Sequence, residues 1–137
     1  MPRATYLVGR LDRLLRRRLG DALAPHGLTL AEYTALSVLQ SRPGLSNAQL
    51  ARRTLITPQS MNEVLAHLVG LGLVSRTPDP EHARVLRTQL TAAGKRTLAV
   101  ANRTVAATER EMLSGLSDAQ AAKFAAALAS CIEQLEA

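Results

Sequence analysis

The chain has 137 residues, enough to bury a core of its own, and its one cysteine, Cys131, excludes an internal disulfide. Lys and Arg outnumber Asp and Glu by 17 to 11, and the net charge of +6 favours a polyanionic partner. The scarcity of aromatic residues argues against a stacking platform for RNA or single-stranded DNA, and no apolar run approaches the ~20 residues of a membrane helix. Residues 1–10 lack the apolar segment of a secretion signal, so we expect a cytoplasmic protein.

Two helices are predicted at the start of the chain. Leucines recur at helical spacing through residues 4–24, and "PHG" at 25–27 ends this first helix. The second opens on "TLAEYTALSVL", where Thr29 and Glu32 form a capping box in which each side chain binds a backbone N–H of the other residue. The segment "SRPG" at 41–44 ends it, because Pro and Gly interrupt helices.

A short helix and a longer helix are predicted next. Ser46 and Gln49 form another capping box, which opens the short helix through about Arg53. Thr57 is a favourable N-cap, and Pro58 occupies the first helical position, where its missing N–H costs nothing. The longer helix has an apolar face of Met61, Val64, Leu65, Leu68 and Leu71 and a polar face of Gln59, Ser60, Asn62, Glu63, Ala66 and His67.

The residue pattern then changes from helical to alternating. The segments "LVSRT" (73–77) and "RVLRTQL" (84–90) are short, alternating and rich in β-branched and apolar residues, and "PDPEHA" lies between them. They predict a two-stranded hairpin with a longer loop. Thr91 then caps a long helix to about Leu113, and a capping box of Ser117 with Gln120 opens a last helix through Leu135.

A helix, a turn, a second helix and a hairpin in immediate succession are typical of a winged helix-turn-helix. The predicted fold is mainly α with a small β-hairpin wing. In a basic chain, an arginine-tipped hairpin directly after such a helix pair favours double-stranded DNA as the partner. The alternative is a helical protein-interaction dimer without specific DNA binding, which Glu63 and the wing acids Asp79 and Glu81 favour.

Four segments resemble the MarR family of bacterial winged-helix transcription regulators: "SNAQLARR" (46–53), "TPQSMNEVLAHLVGLGLVSR" (57–76), "PDPEHAR" (78–84) and "LTAAG" (90–94). The resemblance covers nearly the whole chain. It implies one domain over residues 1–137, with 29–90 as the winged helix-turn-helix and 1–24 and 91–137 as N- and C-terminal dimerisation helices. It further implies a homodimeric repressor or regulator on a pseudo-palindromic operator of the bacterial nucleoid, released when a small ligand acts on the dimer.

The resemblance also implies roles for residues of the second helix and the wing. Thr57–His67 would lie on the recognition helix, Arg84 would reach the minor groove, and Asp79 would position Arg84. Where many relatives carry basic residues, this chain has Glu63 and His67. Glu63 can accept from cytosine N4 or pair with a nearby arginine, and His67 is expected to be solvated or to contact a phosphate.

Other roles follow from the residue types. Gln59 or Asn62 can bind adenine N6 and N7 together. Arg76 and Arg87 are expected to alternate outward on the strands and, with Arg53, to meet backbone phosphates. The predicted DNA-binding residues are Thr57, Pro58, Gln59, Ser60, Asn62, Glu63, His67, Arg53, Arg76, Arg84 and Arg87.

The first and last helices carry more apolar face than one winged domain can cover, which predicts a dimer interface. Tyr6 and Tyr33 either line an effector crevice beside the dimer helices or simply pack half-buried. Cys131 lies on an apolar-flanked helix and is expected to be a buried, inert thiol. The predicted interface residues are Leu7, Leu11, Leu14, Phe124, Leu128, Ile132 and Leu135.

The sequence carries no catalytic or metal-binding pattern. His26, His67 and His82 fall in different predicted elements, without the i, i+4 spacing or the cysteine cluster of a metal site. No nucleophile–base pair stands out, and "GLG" at 70–72 is a turn rather than a phosphate loop. We therefore predict a protein that is not an enzyme and needs neither metal nor cofactor.

Overall fold

A computed structural model describes residues 2–137, which divide into two compact units. One unit ends at Val105, and the other spans Ala106–Ala137. The elements of residues 2–137 are, in chain order, α1 (Ala4–Leu23), a 3₁₀ turn (Ala24–His26), α2 (Leu30–Ser41), β1 (Leu45–Ser46), α3 (Asn47–Thr54), α4 (Pro58–Gly70), β2 (Val74–Pro78), β3 (Leu86–Leu90), α5 (Ala92–Leu113) and α6 (Asp118–Glu136).

Side-chain caps begin the five helices α2 to α6 at the predicted positions. Thr29 Oγ1 accepts from the N–H of Glu32 at 3.1 Å, and the Glu32 carboxylate accepts from the N–H of Thr29 at 2.9 Å. Thr57 Oγ1 accepts from the N–H of Ser60 at 3.1 Å and so starts α4. The reciprocal arrangement recurs at Ser46 with Gln49 and at Ser117 with Gln120, which confirms the predicted capping boxes.

The core of the first unit lies among α2, α3, α4 and the start of α5. Each fully buried leucine contributes about 1.5–3 kcal/mol relative to an exposed one. Helix α4 alone contributes three buried side chains, so its orientation is fixed by the core. The buried apolar residues are Leu23, Leu28, Ala35, Leu36, Leu39, Leu50, Ala51, Met61, Leu65, Leu68, Leu73, Val74, Leu98 and Ala101.

The sheet confirms the predicted hairpin and adds one strand to it. In the described residues the strand order is β1-β3-β2, with both pairs antiparallel. The strand β1 was not predicted, because its two residues are too few to show alternation. Strand β3 begins at Leu86 rather than at residue 84, because the preceding residues close the loop. The N–H of Asp79 donates to the carbonyl of Val85 at 2.8 Å, and the N–H of Val85 donates to the carbonyl of His82, also at 2.8 Å.

The "LTAAG" segment joins the wing to α5 through a close backbone approach. Thr91 Oγ1 donates to the carbonyl of Gly72 at 2.6 Å and accepts from the N–H of Gly94 at 3.0 Å. The N–H of Thr91 donates to the carbonyl of Leu73 at 3.1 Å. Position 94 is buried against that same carbonyl, where a Cβ would not fit. The motif therefore fixes the start of α5 against the turn after α4.

Candidate nucleic-acid interface

The connection between α3 and α4 is a tight turn built on one left-handed residue. Leu55 follows α3 with φ 56°, a conformation that residues with a side chain rarely adopt. The N–H of Ile56 returns to the carbonyl of Ala51 at 3.1 Å. Asn47 Nδ2, from the first turn of α3, donates to the carbonyl of Pro58 at 3.1 Å. These contacts hold the first turns of α3 and α4 beside each other, as in a helix-turn-helix.

Helix α4 turns three large apolar residues inward and leaves a polar face outside. Met61, Leu65 and Leu68 are fully buried, so the opposite side of the helix must face outward. The positive end of the helix dipole lies at its exposed first turn, a favourable place for an anion. The exposed polar residues of α4 are Gln59, Ser60, Asn62, Glu63 and His67.

The wing loop between β2 and β3 folds around the carboxylate of Asp79, which is itself buried. Oδ1 accepts from the backbone N–H of Glu81 at 2.8 Å and from that of His82 at 3.1 Å. Oδ2 accepts from Arg87 Nε at 2.5 Å, and Arg87 also donates to the carbonyl of Gly44 at 3.2 Å. Asp79 thus links the loop backbone to β3.

Those hydrogen bonds hold the pKa of the Asp79 carboxyl below its ordinary value. The largest cause is the backbone N–H of Glu81, followed by the hydrogen bond from Arg87, while burial acts in the opposite direction. A carboxyl whose pKa is lower in the folded state than in the unfolded chain stabilises the fold above the unfolded pKa. This stabilisation is lost as the pH falls through the lowered pKa.

Asp79 pairs with Arg87 and not with Arg84, so the orienting role implied by the resemblance is corrected. The reason is that β3 starts at Leu86, which leaves Arg84 in the loop and puts Arg87 on the strand beside the acid. Arg84 is exposed and makes no hydrogen bond or ion pair within residues 2–137. Its guanidinium is therefore free to meet a ligand.

Arg76 and Arg87 were expected to alternate outward, but they lie on opposite faces of the sheet. Arg76 is opposite Thr88 in the register, and directly opposed residues share a face. Because this face of the sheet buries Thr88 completely, Arg76 is only half-exposed. Arg76 Nη2 donates to Asn62 Oδ1 of α4 at 3.4 Å. Arg87 is opposite Thr77, on the other face.

His67 was expected to be solvated or to contact a phosphate, but its Nδ1 pairs with Oε2 of Glu32. Glu32 lies in α2 and is almost completely buried, and its other oxygen completes the capping box with Thr29. The imidazole therefore links the recognition-helix candidate α4 to the start of α2. Glu63, by contrast, makes no ion pair among residues 2–137 and stays exposed.

A cleft of about 370 Å³, here called the wing cleft, lies between the start of α3, α4 and the wing. Arg76 and Arg84 line it and no acidic residue does. Asn47 Oδ1 and Arg76 Nε are buried polar atoms without a hydrogen-bond partner in the described residues. The wing cleft is therefore a positively charged recess on the exposed side of the helix pair. Its lining residues are Ser46, Asn47, Ala48, Asn62, Arg76, Arg84, Val85 and Leu86.

Arg53 lines a second open cleft, of about 350 Å³, at the ends of α2 and α3. Arg42 lines it as well, together with Ser37, Val38 and Ser41. Both arginines are exposed and neither forms an ion pair in the part of the chain that the structure describes. The arginines of the first unit thus offer two separate places for phosphate contacts.

Apolar side chains form exposed rows on α1 and, in the second unit, on α6. Side chains three, four or seven residues apart lie on one face of a helix, and exposed apolar faces of this kind are typical of interaction surfaces. Cys131 of α6 is exposed in the single chain, so the prediction that its own chain buries the thiol is wrong. The members of the rows are Leu7 (48% exposed), Leu11 (half-buried) and Leu14 (53%) on α1, and Phe124 (half-buried), Leu128 (37%), Ile132 (54%) and Leu135 (90%) on α6.

The two tyrosines predicted to line an effector crevice lie in different surroundings. Tyr33 packs against the core, and its hydroxyl donates to Asn102 Oδ1 of α5 at 2.6 Å. Tyr6 lies on α1 and is more than half exposed. His26 Nε2 of the 3₁₀ turn lies 2.7 Å from Thr104 Oγ1 of α5. Polar contacts therefore tie α5 to α2 and to the 3₁₀ turn within the first unit.

Three features of this region were not predicted: the second partner of Glu32, the contact of Asn47 with α4 and the half-buried state of Arg76. Glu32 was recognised as a cap, but its second partner, His67, lies 35 residues away and left no local signal. Asn47 follows the cap residue of α3 and resembles any surface amide. The half-burial of Arg76 could not be predicted, because the outward-facing residues of the strands were inferred without knowing the register between β2 and β3.

No helix within residues 2–137 is long and apolar enough to cross a membrane. Over the same residues, no group of three or more His, Cys, Asp or Glu side chains is placed to hold a metal ion.

A sequence profile of the MarR family matches residues 26–85, which include the helix pair and most of the wing. The HTH-type transcriptional repressor Rv2887 of Mycobacterium tuberculosis (strain ATCC 25618 / H37Rv) is 40% identical over 119 residues, which are 87% of this chain and 86% of the relative. Two solved structures of the M. tuberculosis MarR family protein Rv2887 have a similar fold. The complex with DNA matches with a TM-score of 0.82 and 35% identity over 96% of this chain and 98% of that chain. The complex with salicylic acid matches with a TM-score of 0.80 and 37% identity over 96% and 97% of the two chains.

Proposed function

This chain belongs to the MarR family, and we propose that it is a homodimeric transcriptional repressor that binds double-stranded DNA and is released by a small aromatic acid. One observation carries the proposal: the core fixes α4 so that its polar face and first turn are exposed beside a wing with a free arginine. The relative Rv2887, named a transcriptional repressor and solved with DNA, supports the same function. Such a protein performs no catalytic step and acts on the nucleoid in the cytoplasm.

In the proposed complex, the N-terminal part of α4 enters the major groove. Thr57, Pro58 and Ser60 lie in or beside the first turn, where backbone N–H groups and the helix dipole suit a phosphate. Gln59 and Glu63 are exposed one turn apart and can reach base edges. An exposed carboxylate repels phosphates, so Glu63 favours a base contact, with cytosine N4 as its donor.

The wing supplies the second contact. Arg84, which has no partner within residues 2–137, extends into the minor groove, whose negative potential attracts arginine. Arg87 is partly neutralised by Asp79, so it is the weaker phosphate ligand of the two. Arg53, on its separate cleft, contacts the backbone at the flank of the site.

The rows of apolar residues on α1 and α6 form the dimer interface. Leu14 and Ile132 each expose more than half of their surface in the single chain, and burial of such side chains drives association. A two-fold dimer presents two α4 helices, which matches a pseudo-palindromic operator with two half-sites. Residues 29–90 are then the DNA-binding part, and residues 1–24 and 91–137 hold the dimer.

A small aromatic carboxylate is the proposed effector class, because a relative with 37% identity was solved with salicylic acid. Tyr33 and Tyr6 are the aromatic residues proposed to line its site. An effector weakens DNA binding only if it prefers the dimer geometry that separates the two α4 helices from their half-sites. The hydrogen bond between Tyr33 and Asn102 joins α2 to α5 and provides a contact through which ligand binding can act.

The test is binding of the purified protein to a labelled duplex from its own upstream intergenic DNA and to a shuffled duplex of equal composition. We expect tight binding to the natural duplex alone, with release by millimolar salicylate. Arg84→Ala and Gln59→Ala should each weaken binding about tenfold with the dimer intact. The control Arg96→Ala removes an equal charge from an exposed site on α5 and should change affinity little.

Equal, weak binding to both duplexes would overturn the proposal and favour a protein-interaction dimer. Equal losses in Arg84→Ala and Arg96→Ala would mean that net charge, and not the wing, determines affinity.

A further inference from the structure

Asn62 on α4 is held by an arginine of the wing. Arg76 Nη2 lies 3.4 Å from Asn62 Oδ1. A guanidinium carries only donors, so the amide atom that faces it has to be the oxygen. The contact therefore fixes which way the Asn62 amide points.

Arg76 is well suited to hold this position. It is half-buried on β2, opposite the buried Thr88, and its Nε has no solvent contact. Within residues 2–137 no carboxylate pairs with it, and no acidic residue lines the wing cleft that it faces. Asn62 is thus its one hydrogen-bond partner in the described chain, and nothing there competes for the guanidinium.

With the oxygen turned toward Arg76, the Asn62 amide presents its NH₂ group to a ligand. Asn62 is exposed, and Nδ2 has no partner in residues 2–137. We propose that Arg76 is a positioning residue that makes Asn62 a hydrogen-bond donor, so that Asn62 selects guanine in the operator. The inference rests on the proposed function, because it names the base that this DNA-binding helix reads.

The chemistry of the groove separates guanine from adenine at such a position. Guanine offers two acceptors, O6 and N7, which match two amide hydrogens. Adenine offers one acceptor and one donor, so its N6 amine would have to share the amide oxygen with Arg76 and would lie close to the donors of that guanidinium. The bidentate adenine contact expected for a free asparagine is therefore disfavoured for Asn62.

The experiment selects bound sequences from a fully randomised duplex library with wild-type protein, Asn62→Ala, Arg76→Met, Arg76→Lys and the Asn62→Ala/Arg76→Met double variant. Wild type should prefer guanine over adenine about tenfold at one position of each half-site, and Asn62→Ala should remove that preference. Arg76→Met should reduce the guanine preference to about threefold or less, at the same position only. The double variant should show the same base preferences as Asn62→Ala alone. Arg76→Lys, which keeps a donor, should retain the guanine preference.

Arg84→Met is the matched control, since it removes another arginine from the wing cleft but leaves Asn62 and Arg76 in place. It should lower affinity without changing the guanine preference, and thermal melts of every variant check the fold. A wild-type selection with no preferred sequence would overturn the proposed function and this inference together. The inference alone would be overturned, with the proposed function intact, by either of two results for a wild-type protein that selects a specific sequence. One is a preference for adenine at the position that depends on Asn62, and the other is a guanine preference there that Arg76→Met leaves unchanged.

Discussion

Replacing Gly94 with alanine tests the backbone approach that joins α5 to the end of α4. A Cβ at this position would lie 2.0 Å from the carbonyl oxygen of Leu73 and 3.0 Å from its carbonyl carbon. The first distance is about 1.4 Å short of an ordinary contact at 3.4 Å, and both atoms belong to the backbone, so no side chain can swing aside. The same carbonyl accepts the N–H of Thr91, so a shift that relieves the clash also weakens the cap of α5.

Two effects of opposite sign decide the outcome. Alanine is favoured over glycine in a helix by about 1 kcal/mol. Overpacking a buried site costs about 1–3 kcal/mol, occasionally more, and an overlap of this size against rigid backbone belongs at the upper end. We expect Gly94→Ala to lose about 2 kcal/mol of unfolding free energy, which lowers Tm by about 8 °C at ~4 °C per kcal/mol.

The assay is urea and thermal unfolding followed by circular dichroism at one fixed protein concentration, because a dimer's stability depends on concentration. Gly70→Ala is the control, since Gly70 is exposed at the end of α4 and a Cβ there meets nothing within 4 Å. It should be neutral or slightly stabilising. A Gly94→Ala protein as stable as this control would refute the close approach.

Three further changes probe the α4 cap, the wing and the dimer surface. Thr57→Ala removes the N-cap of α4 and should cost about 1 kcal/mol in urea unfolding; an unchanged midpoint would contradict its capping role. Asp79→Asn should lower the free energy of unfolding at neutral pH, because the stabilising carboxylate is absent. Below about pH 4 the variant should lose less of this free energy than wild type does, and an equal pH dependence of unfolding in the two proteins would contradict the role of Asp79. Ile132→Glu should convert a dimer to a monomer in sedimentation experiments, whereas Glu133→Gln, on the neighbouring exposed residue, should leave the dimer unchanged.

Most element boundaries could be predicted because their signals are local. The reciprocal pair of Ser46 and Gln49 is legible within four residues of sequence, and the structure begins α3 where that pair predicts. The apolar spacing of α4 likewise predicted the burial of Met61, Leu65 and Leu68, since the helical period fixes which side chains share a face. It was wrong for Leu71, which lies just beyond the last residue of α4 and is 48% exposed. Local chemistry thus determined the order of the elements.

Contacts between distant residues could not be predicted in the same way. The partner of Asp79 depended on where β3 begins, and that boundary is set by hydrogen bonds inside the loop. The half-buried state of Arg76 depended on its register with Thr88, which periodicity alone does not give. The contact of His67 Nδ1 with the Glu32 carboxylate depended on how α4 packs against α2.

The exposed thiol of Cys131 has a similar cause. Apolar neighbours along α6 suggested burial, but those neighbours belong to the exposed row that is proposed as the dimer interface. A helix can be apolar because it is covered by its own chain or because it is covered by another one. Sequence pattern does not separate the two cases.

The central claim is that a dimer reads two half-sites through α4 and the wing. The most direct measurement is hydroxyl-radical footprinting of the selected duplex, repeated across a salt titration. We expect protection of two half-sites about one helical turn apart, with a slope of log affinity against log salt of about −7, as for about eight neutralised phosphates. A single continuous footprint with no symmetry, or protection that does not depend on sequence, would contradict the claim.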